Sequence, residues 1–282
     1  MTFGQSSIIS RTRRYGEWLL PNPLCRETTR RAAHFDLFVT RSALMNREYH
    51  RWYSRSLGRD MELLEFGHDG PVALVFPTSM GRFYELEDRG MVAALADRLD
   101  GGRLRLFCLD SIDGESWYHT SAHPRQRVER HLQYERYVLD EVLPLARSRC
   151  APGADDRVIT TGCSLGAFHA ALLTLRHPFV VRRTVALSGK YDNSSFLDGY
   201  SDGDTYLTNP FAFLPGLNDS SFLDALRAAT LVIVTGSTDP HVDEARRLSR
   251  LLWEKGVPNT LDVWEGWMHD WPYWQAMITK FL

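Results

Sequence analysis

Short apolar runs recur along the chain, separated by longer amphipathic stretches. Residues 61–66 read as a strand, followed by a turn at His68-Asp-Gly-Pro71. Residues 72–76 form a brief, wholly apolar run of the kind a buried strand requires, and residues 103–109 form another that partly alternates. Helical spacing runs through 124–148 on Val128, Leu132, Leu139 and Val142, interrupted by Glu135. Beyond this point strands and helices alternate cleanly. Strands are predicted at 158–161, 184–187, 231–235 and 261–264. Helices are predicted at 164–175, at 241–255 with Gly256 and Pro258 as stop signals, and at 271–282. Residues 1–60 are polar and arginine-rich with weak periodicity, and no element is assigned there.

Apolar strands joined by amphipathic helices build βαβ units, so the fold class is α/β with a mostly parallel, doubly wound sheet and helices on both faces. In such sheets ligands bind at the carboxyl ends of the strands, which places any chemistry in the loops that follow them. The predicted organisation is an N-terminal extension over 1–45 packed on a domain over 46–282. One stretch, 190–220, is too long for a plain crossover and carries Phe196, Leu197, Phe211, Phe213 and Leu214. It is expected to cap the site, with Tyr191, Phe196 and Tyr206 facing the pocket; packing on a neighbouring helix is the alternative.

Composition narrows the class. The 282 residues hold 44% hydrophobic and 24% charged residues with a net charge of −2, an ordinary globular balance in one large domain. No basic stripe points to nucleic acid. The four cysteines, Cys25, Cys108, Cys150 and Cys163, are scattered and suggest free thiols, with no metal site. No window is apolar enough to span a membrane, and the N-terminus lacks the apolar core of a signal peptide, so a cytoplasmic setting is expected. No oligomeric state is readable, and a homo-oligomer stays open.

The chemistry begins at Gly162-Cys-Ser164-Leu-Gly166, a G-x-S-x-G pattern with a strand before it and a helix after it. That context marks a sharp turn that lifts the serine hydroxyl off the sheet, so Ser164 is the expected nucleophile. A serine needs a base. Of ten histidines, His269 alone follows the last strand and precedes the last helix. His50, His131 and His177 fall in helix-like or helix-end segments suited to surface or capping roles, and His169 lies along the elbow helix, where it packs beside the site. Asp239, in Gly236-Ser-Thr-Asp239 after the strand at 231–235, is the expected acid that orients the base, with Asp243 as runner-up. The order Ser164, Asp239, His269 is the one this elbow type uses.

One oxyanion donor is expected at the Leu165 amide and the second in the loop Pro77-Thr-Ser-Met-Gly81. Ser79 is the choice there, with Thr78 and Met80 as alternatives. Thr78, Met80, Tyr84, Trp117 and Tyr191 are the expected substrate contacts. Aromatic residues gather in the same loops, among them Phe83, Tyr118, Trp267, Trp271 and Trp274.

These residues resemble the putative-esterase family of α/β-hydrolases, which holds esterase D-like enzymes, enterochelin esterases and the antigen 85 mycolyltransferases. The resemblance rests on Gly266-Trp-Met-His-Asp-Trp-Pro-Tyr-Trp274, the elbow and Gly236-x-x-Asp239, and covers roughly 45–282. Phe76-Pro-Thr-Ser-Met-Gly-Arg82, Asp110-Ser and His269-Asp-Trp271 are similar to a bacterial subgroup of cytoplasmic esterases. The antigen 85 proteins are secreted, and no export signal is read here. The resemblance implies no metal and no organic cofactor. The function expected is hydrolysis of a small-molecule carboxylic ester through an acyl-enzyme. An acyltransferase using the same triad, or a binding protein on a hydrolase fold, are the rivals.

Overall fold

The computed structural model describes residues 11–12, 45–151, 153 and 155–282. The expected N-terminal extension, with Cys25, thus lies almost wholly outside the described residues. The strands are β1 (Arg11–Thr12), β2 (Arg47–Ser54), β3 (Arg59–Phe66), β4 (Val72–Phe76), β5 (Arg105–Leu109), β6 (Val158–Cys163), β7 (Val181–Leu187), β8 (Thr230–Gly236) and β9 (Asn259–Trp264). The helices are α1 (Glu85–Asp88), α2 (Met91–Ala94), α3 (Ala96–Asp100), α4 (Pro124–Tyr137), α5 (Leu143–Arg147), α6 (Leu165–Arg176), α7 (Gly203–Thr208), α8 (Pro210–Phe213), α9 (Ser220–Arg227), α10 (Val242–Glu254) and α11 (Trp271–Phe281).

The strands form one sheet in the order β1-β2-β3-β5-β4-β6-β7-β8-β9. From β5 to β9 every pairing is parallel; β1, β2 and β3 join antiparallel. All residues of β4, β5 and β6 are buried, as expected of strands covered by helices on both faces. The chain leaves β4 for β5 on one side and then returns to β6 on the other. The carboxyl ends of β4 and β6 therefore flank the point where the winding reverses, the place where such sheets bind ligands.

β2 was not legible as a strand. Its sequence, REYHRWYS, is polar because only part of one face is buried, yet it pairs with β3 from Arg47↔Phe66 to Ser54↔Arg59. His50, expected in a helix-like segment, sits on β2 with its ring 3.0 Å from Glu65. The predicted helix over 124–148 is broken in two by a π-helical turn at Val138–Val142, just before Pro144, which has no N–H to continue the ladder. Glu135 interrupts the apolar stripe because it faces α6: its carboxylate accepts from Arg176 at 2.8 and 2.9 Å and lies 3.0 Å from His177. His131, expected near the surface, is 3% exposed, and burial pushes its imidazole down to about 3.

The 190–220 segment packs in two ways. Its early part reaches toward the loop after β5: the Phe196 ring lies 5.4 Å from Tyr118 and 5.7 Å from Trp117. Its later part covers the helical face of the sheet, with Phe211, Phe213 and Leu214 in a core shared with Leu226, Leu248 and Leu252. The Leu207 carbonyl accepts from Arg176 at the far end of α6, so Tyr206 stands along that flank, 44% exposed.

Candidate active site

Ser164 lies between β6 and α6 with φ 55° and ψ −118°, a region costly for a non-glycine residue. Close packing on both sides sets this turn. A Cβ on Gly162 would come closer than 3.0 Å to the Gly166 backbone and to the Phe76 carbonyl, and a Cβ on Gly166 would come as close to the carbonyls of Phe76 and Pro77. The Ser164 amide donates to the Leu187 carbonyl of β7 at 2.9 Å. The hydroxyl is thereby lifted above the sheet at the start of α6, whose dipole presents positive charge there.

His269 is placed by a second close approach. A Cβ on Gly236 would come closer than 3.0 Å to the carbonyls of Gly266 and Trp267, so the loops after β8 and β9 lie against each other. Thr238 donates to the Gly266 carbonyl at 3.0 Å, and Gly266 donates to Ser237 Oγ at 3.0 Å. Across this contact His269 Nδ1 lies 2.9 Å from Asp239 Oδ2, while His269 Nε2 lies 3.2 Å from Ser164 Oγ. Asp239 is 2% exposed, and its other oxygen accepts the His241 amide at 2.8 Å. Burial raises the Asp239 carboxyl, but the hydrogen bonds from His269 and the His241 amide, with the charge of His269, outweigh it and hold the group below its ordinary range. Asp243 has its side chain exposed and paired with Arg246 at 3.0 Å, and Asp270 caps α11.

The histidine loop rests on Trp274 and on Ser188, which sequence reasoning did not single out. Ser188, at φ 50°, donates to the Met268 carbonyl at 3.1 Å and accepts from Trp274 Nε1 at 3.1 Å. The Trp274 ring meets His269 with centroids 5.2 Å apart and rings near perpendicular. A serine directly after a strand is the sole sequence signal for Ser188.

In the loop after β4, three of the four amides are committed. Thr78 donates to Glu85 at 2.9 Å, Met80 to Asp113 at 3.0 Å and Gly81 to the Thr78 carbonyl at 2.9 Å. The Ser79 amide has no partner among the described residues; neither has the Leu165 amide, at the first position of α6. Ser79 Oγ accepts from Tyr118 at 2.9 Å. Pro77 touches Gly166, which brings this loop alongside Leu165.

Two of the expected substrate contacts are corrected. Trp117, 1% exposed, is wedged between His131 and Phe168, and Tyr191, 0% exposed, lies under the acid loop beside Glu244. Both are core, because large rings at strand ends bury more area inward than they could offer a ligand. Thr78 has its hydroxyl bonded to Glu85 at 2.7 Å, and Tyr84 packs on Phe83. Met80 is 55% exposed. A cleft of about 510 Å³ lies apart from these residues, between Trp52, Tyr53 and Glu141.

A family model described as putative esterase matches residues 108–282. No curated protein matches the chain. Among solved structures it is similar to a ferulic acid esterase at 16% identity, covering 84% of this chain and 96% of that one with a TM-score of 0.67. An S-formylglutathione hydrolase from Staphylococcus aureus superposes at 14% identity, 85% and 96% coverage and a TM-score of 0.60. One from Agrobacterium tumefaciens does so at 16% identity, 84% and 92% coverage and a TM-score of 0.61. The structural likeness carries the α/β-hydrolase fold, and the family model covers well over half of the sequence. The chain belongs to the putative-esterase family and is a serine-type hydrolase of carboxylic esters.

Proposed function

We propose that Ser164, His269 and Asp239 carry the ester hydrolysis, on small-molecule substrates. The observation that supports this most is the continuous hydrogen-bonded line from Asp239 through His269 to Ser164, set at the carboxyl ends of three parallel strands. In this reading Ser164 Oγ attacks the ester carbonyl while His269 Nε2 takes its proton. Asp239 holds the imidazole with Nδ1 protonated and offsets its positive charge. The tetrahedral oxyanion is received by the amides of Leu165 and Ser79, neither of which has a partner among the described residues. His269 returns the proton to the leaving alcohol, and the acyl group remains on Ser164. Water, deprotonated by His269, then attacks the acyl-enzyme and releases the acid. An alcohol in place of water would make the same site an acyltransferase.

We place Met80, Tyr118 and Phe196 at the pocket rim, with the early part of the 190–220 segment as a partial wall. A cytoplasmic location belongs to the same proposal; among the described residues, no helix is long and apolar enough to cross a membrane. The test is Ser164→Ala. It should fold as the parent does but lose at least about 10³-fold in turnover of p-nitrophenyl acetate. A fluorophosphonate should label the parent at Ser164. Wild-type turnover in the variant, or a label elsewhere, would overturn the assignment.

A further inference from the structure

Asp113 stands close to the site but has no part in the chemistry proposed above. It opens a 3-10 turn, Asp113–Glu115, after β5 and is 2% exposed. Its Oδ2 accepts the Met80 amide at 3.0 Å, and its Oδ1 lies 3.3 Å from His169 Nε2. His169 is itself held: it is 5% exposed, stacked on Phe76 with centroids 5.9 Å apart, and flanked by Tyr134 at 5.6 Å. It lies four residues after Leu165 on α6, so the two share one side of that helix. A single buried carboxylate thus ties the loop bearing the Ser79 amide to the helix bearing the Leu165 amide.

Met80 gives the tie a purpose. Its φ of 60° is left-handed, which is costly for a non-glycine residue and persists only where the surroundings impose it. Two hydrogen bonds impose it here, Met80 to Asp113 and Gly81 to the Thr78 carbonyl. Without the first, the turn is free to relax, and the peptide between Thr78 and Ser79 turns with it.

We propose that Asp113, braced by His169, is a positioning residue for the oxyanion hole: it holds Met80 left-handed and so aims the Ser79 amide at the point the Leu165 amide also faces. This rests on the reading of Ser79 and Leu165 as oxyanion donors. The carboxylate touches neither substrate nor nucleophile and acts only through the loop.

The test uses the full chain and four proteins: wild type, Asp113→Ala, Met80→Gly and the double variant. Fluorophosphonate labelling of wild type comes first; no label at Ser164 removes the serine-esterase assignment itself, whatever Asp113 does. With the label in place, Asp113→Ala should lower kcat on p-nitrophenyl acetate about 10-fold or more while KM stays within about 3-fold, part of the loss expected when an oxyanion donor is removed. Binding of a trifluoromethyl ketone, which forms a tetrahedral adduct on the serine, should weaken by a similar factor. Glycine adopts positive φ freely, so in the Met80→Gly background the same substitution should cost only about 3-fold or less. A merely structural Asp113 would cost the same in both backgrounds, and that result, or a kcat within about 2-fold of wild type, overturns the proposal. Should circular dichroism show Asp113→Ala unfolded, His169→Phe takes its place. It keeps the ring against Phe76 but removes the brace, and it should lower kcat about 5-fold with the same dependence on Met80; no change in kcat overturns the proposal equally.

Discussion

Gly166 lies so close to the Phe76 carbonyl that the start of α6 and the end of β4 have no room for a side chain between them. The neighbour is backbone on both sides, so it cannot swing away as a side chain would. Gly166→Ala should therefore lower stability by about 2 kcal/mol or more, the range of overpacked cores. It should also push the Phe76–Thr78 stretch outward. Thermal melts would read the first effect. The second should show as a fall in turnover larger than the loss of folded protein explains, since the same stretch leads into the loop with the Ser79 amide.

Asp239 and Asp243 are four residues apart and differ in every relevant respect. One is buried against His269, the other exposed and paired with Arg246. Asp239→Asn should keep the fold and lower kcat by about 10³–10⁴-fold, because an amide there favours the wrong imidazole tautomer. Asp243→Asn should leave kcat within about twofold, as exposed ion pairs contribute little. Steady-state kinetics on one short-chain ester separates the two.

Trp274 supports the histidine loop from below through Ser188 and through its ring edge on His269. Trp274→Phe keeps an aromatic ring but removes the indole donor. Stability should fall by about 1 kcal/mol, the usual net worth of such a bond, and kcat/KM by several-fold as the loop loosens. Unfolding in urea together with kinetics measures both. An unchanged kcat/KM would detach Trp274 from the site.

Glu135 predicts an acid-sensitive contribution. Burial raises its carboxyl, but His177 and Arg176 overcome this and hold it at about 2, against 4.5 in the unfolded chain. A depressed folded value means the unfolded chain takes up protons first. The stabilisation is full above pH 4.5 and drains away as pH falls toward 2. Glu135→Gln should be less stable than wild type by about 3 kcal/mol at pH 7 and by less than half of that at pH 3. Urea titrations at the two values check the sign: a gap that grows on acidification would refute it.

What the sequence disclosed follows from where the information is local. The elbow is legible because Gly162, Ser164 and Gly166 stand within five positions, even though the backbone that the glycines make room for includes the Phe76 and Pro77 carbonyls at the end of β4. His269 and Asp239 are legible because alternating strands and helices reveal which loops lie at one end of the sheet. β2 was missed because an antiparallel strand near the sheet margin needs only part of one face apolar, and REYHRWYS shows little pattern. Trp117 and Tyr191 were misplaced because nothing along the chain says whether an aromatic ring after a strand turns inward or outward. Asp113 escaped because its partners, Met80 and His169, are 33 and 56 residues away.

The hydrogen-bonded line at the site joins groups 105 and 30 residues apart in the chain. Asp239 and His269 can meet once β8 and β9 have paired, but Ser164 does not join them until β6, β7 and β8 have also paired in register, and parallel pairing of this kind closes long loops and forms slowly. A partly folded chain can carry helix before the elbow is packed on Phe76 and Pro77 and before the base is brought to it. Recovered esterase activity after dilution from denaturant therefore reports completion of the whole sheet, and should lag behind the return of helical signal.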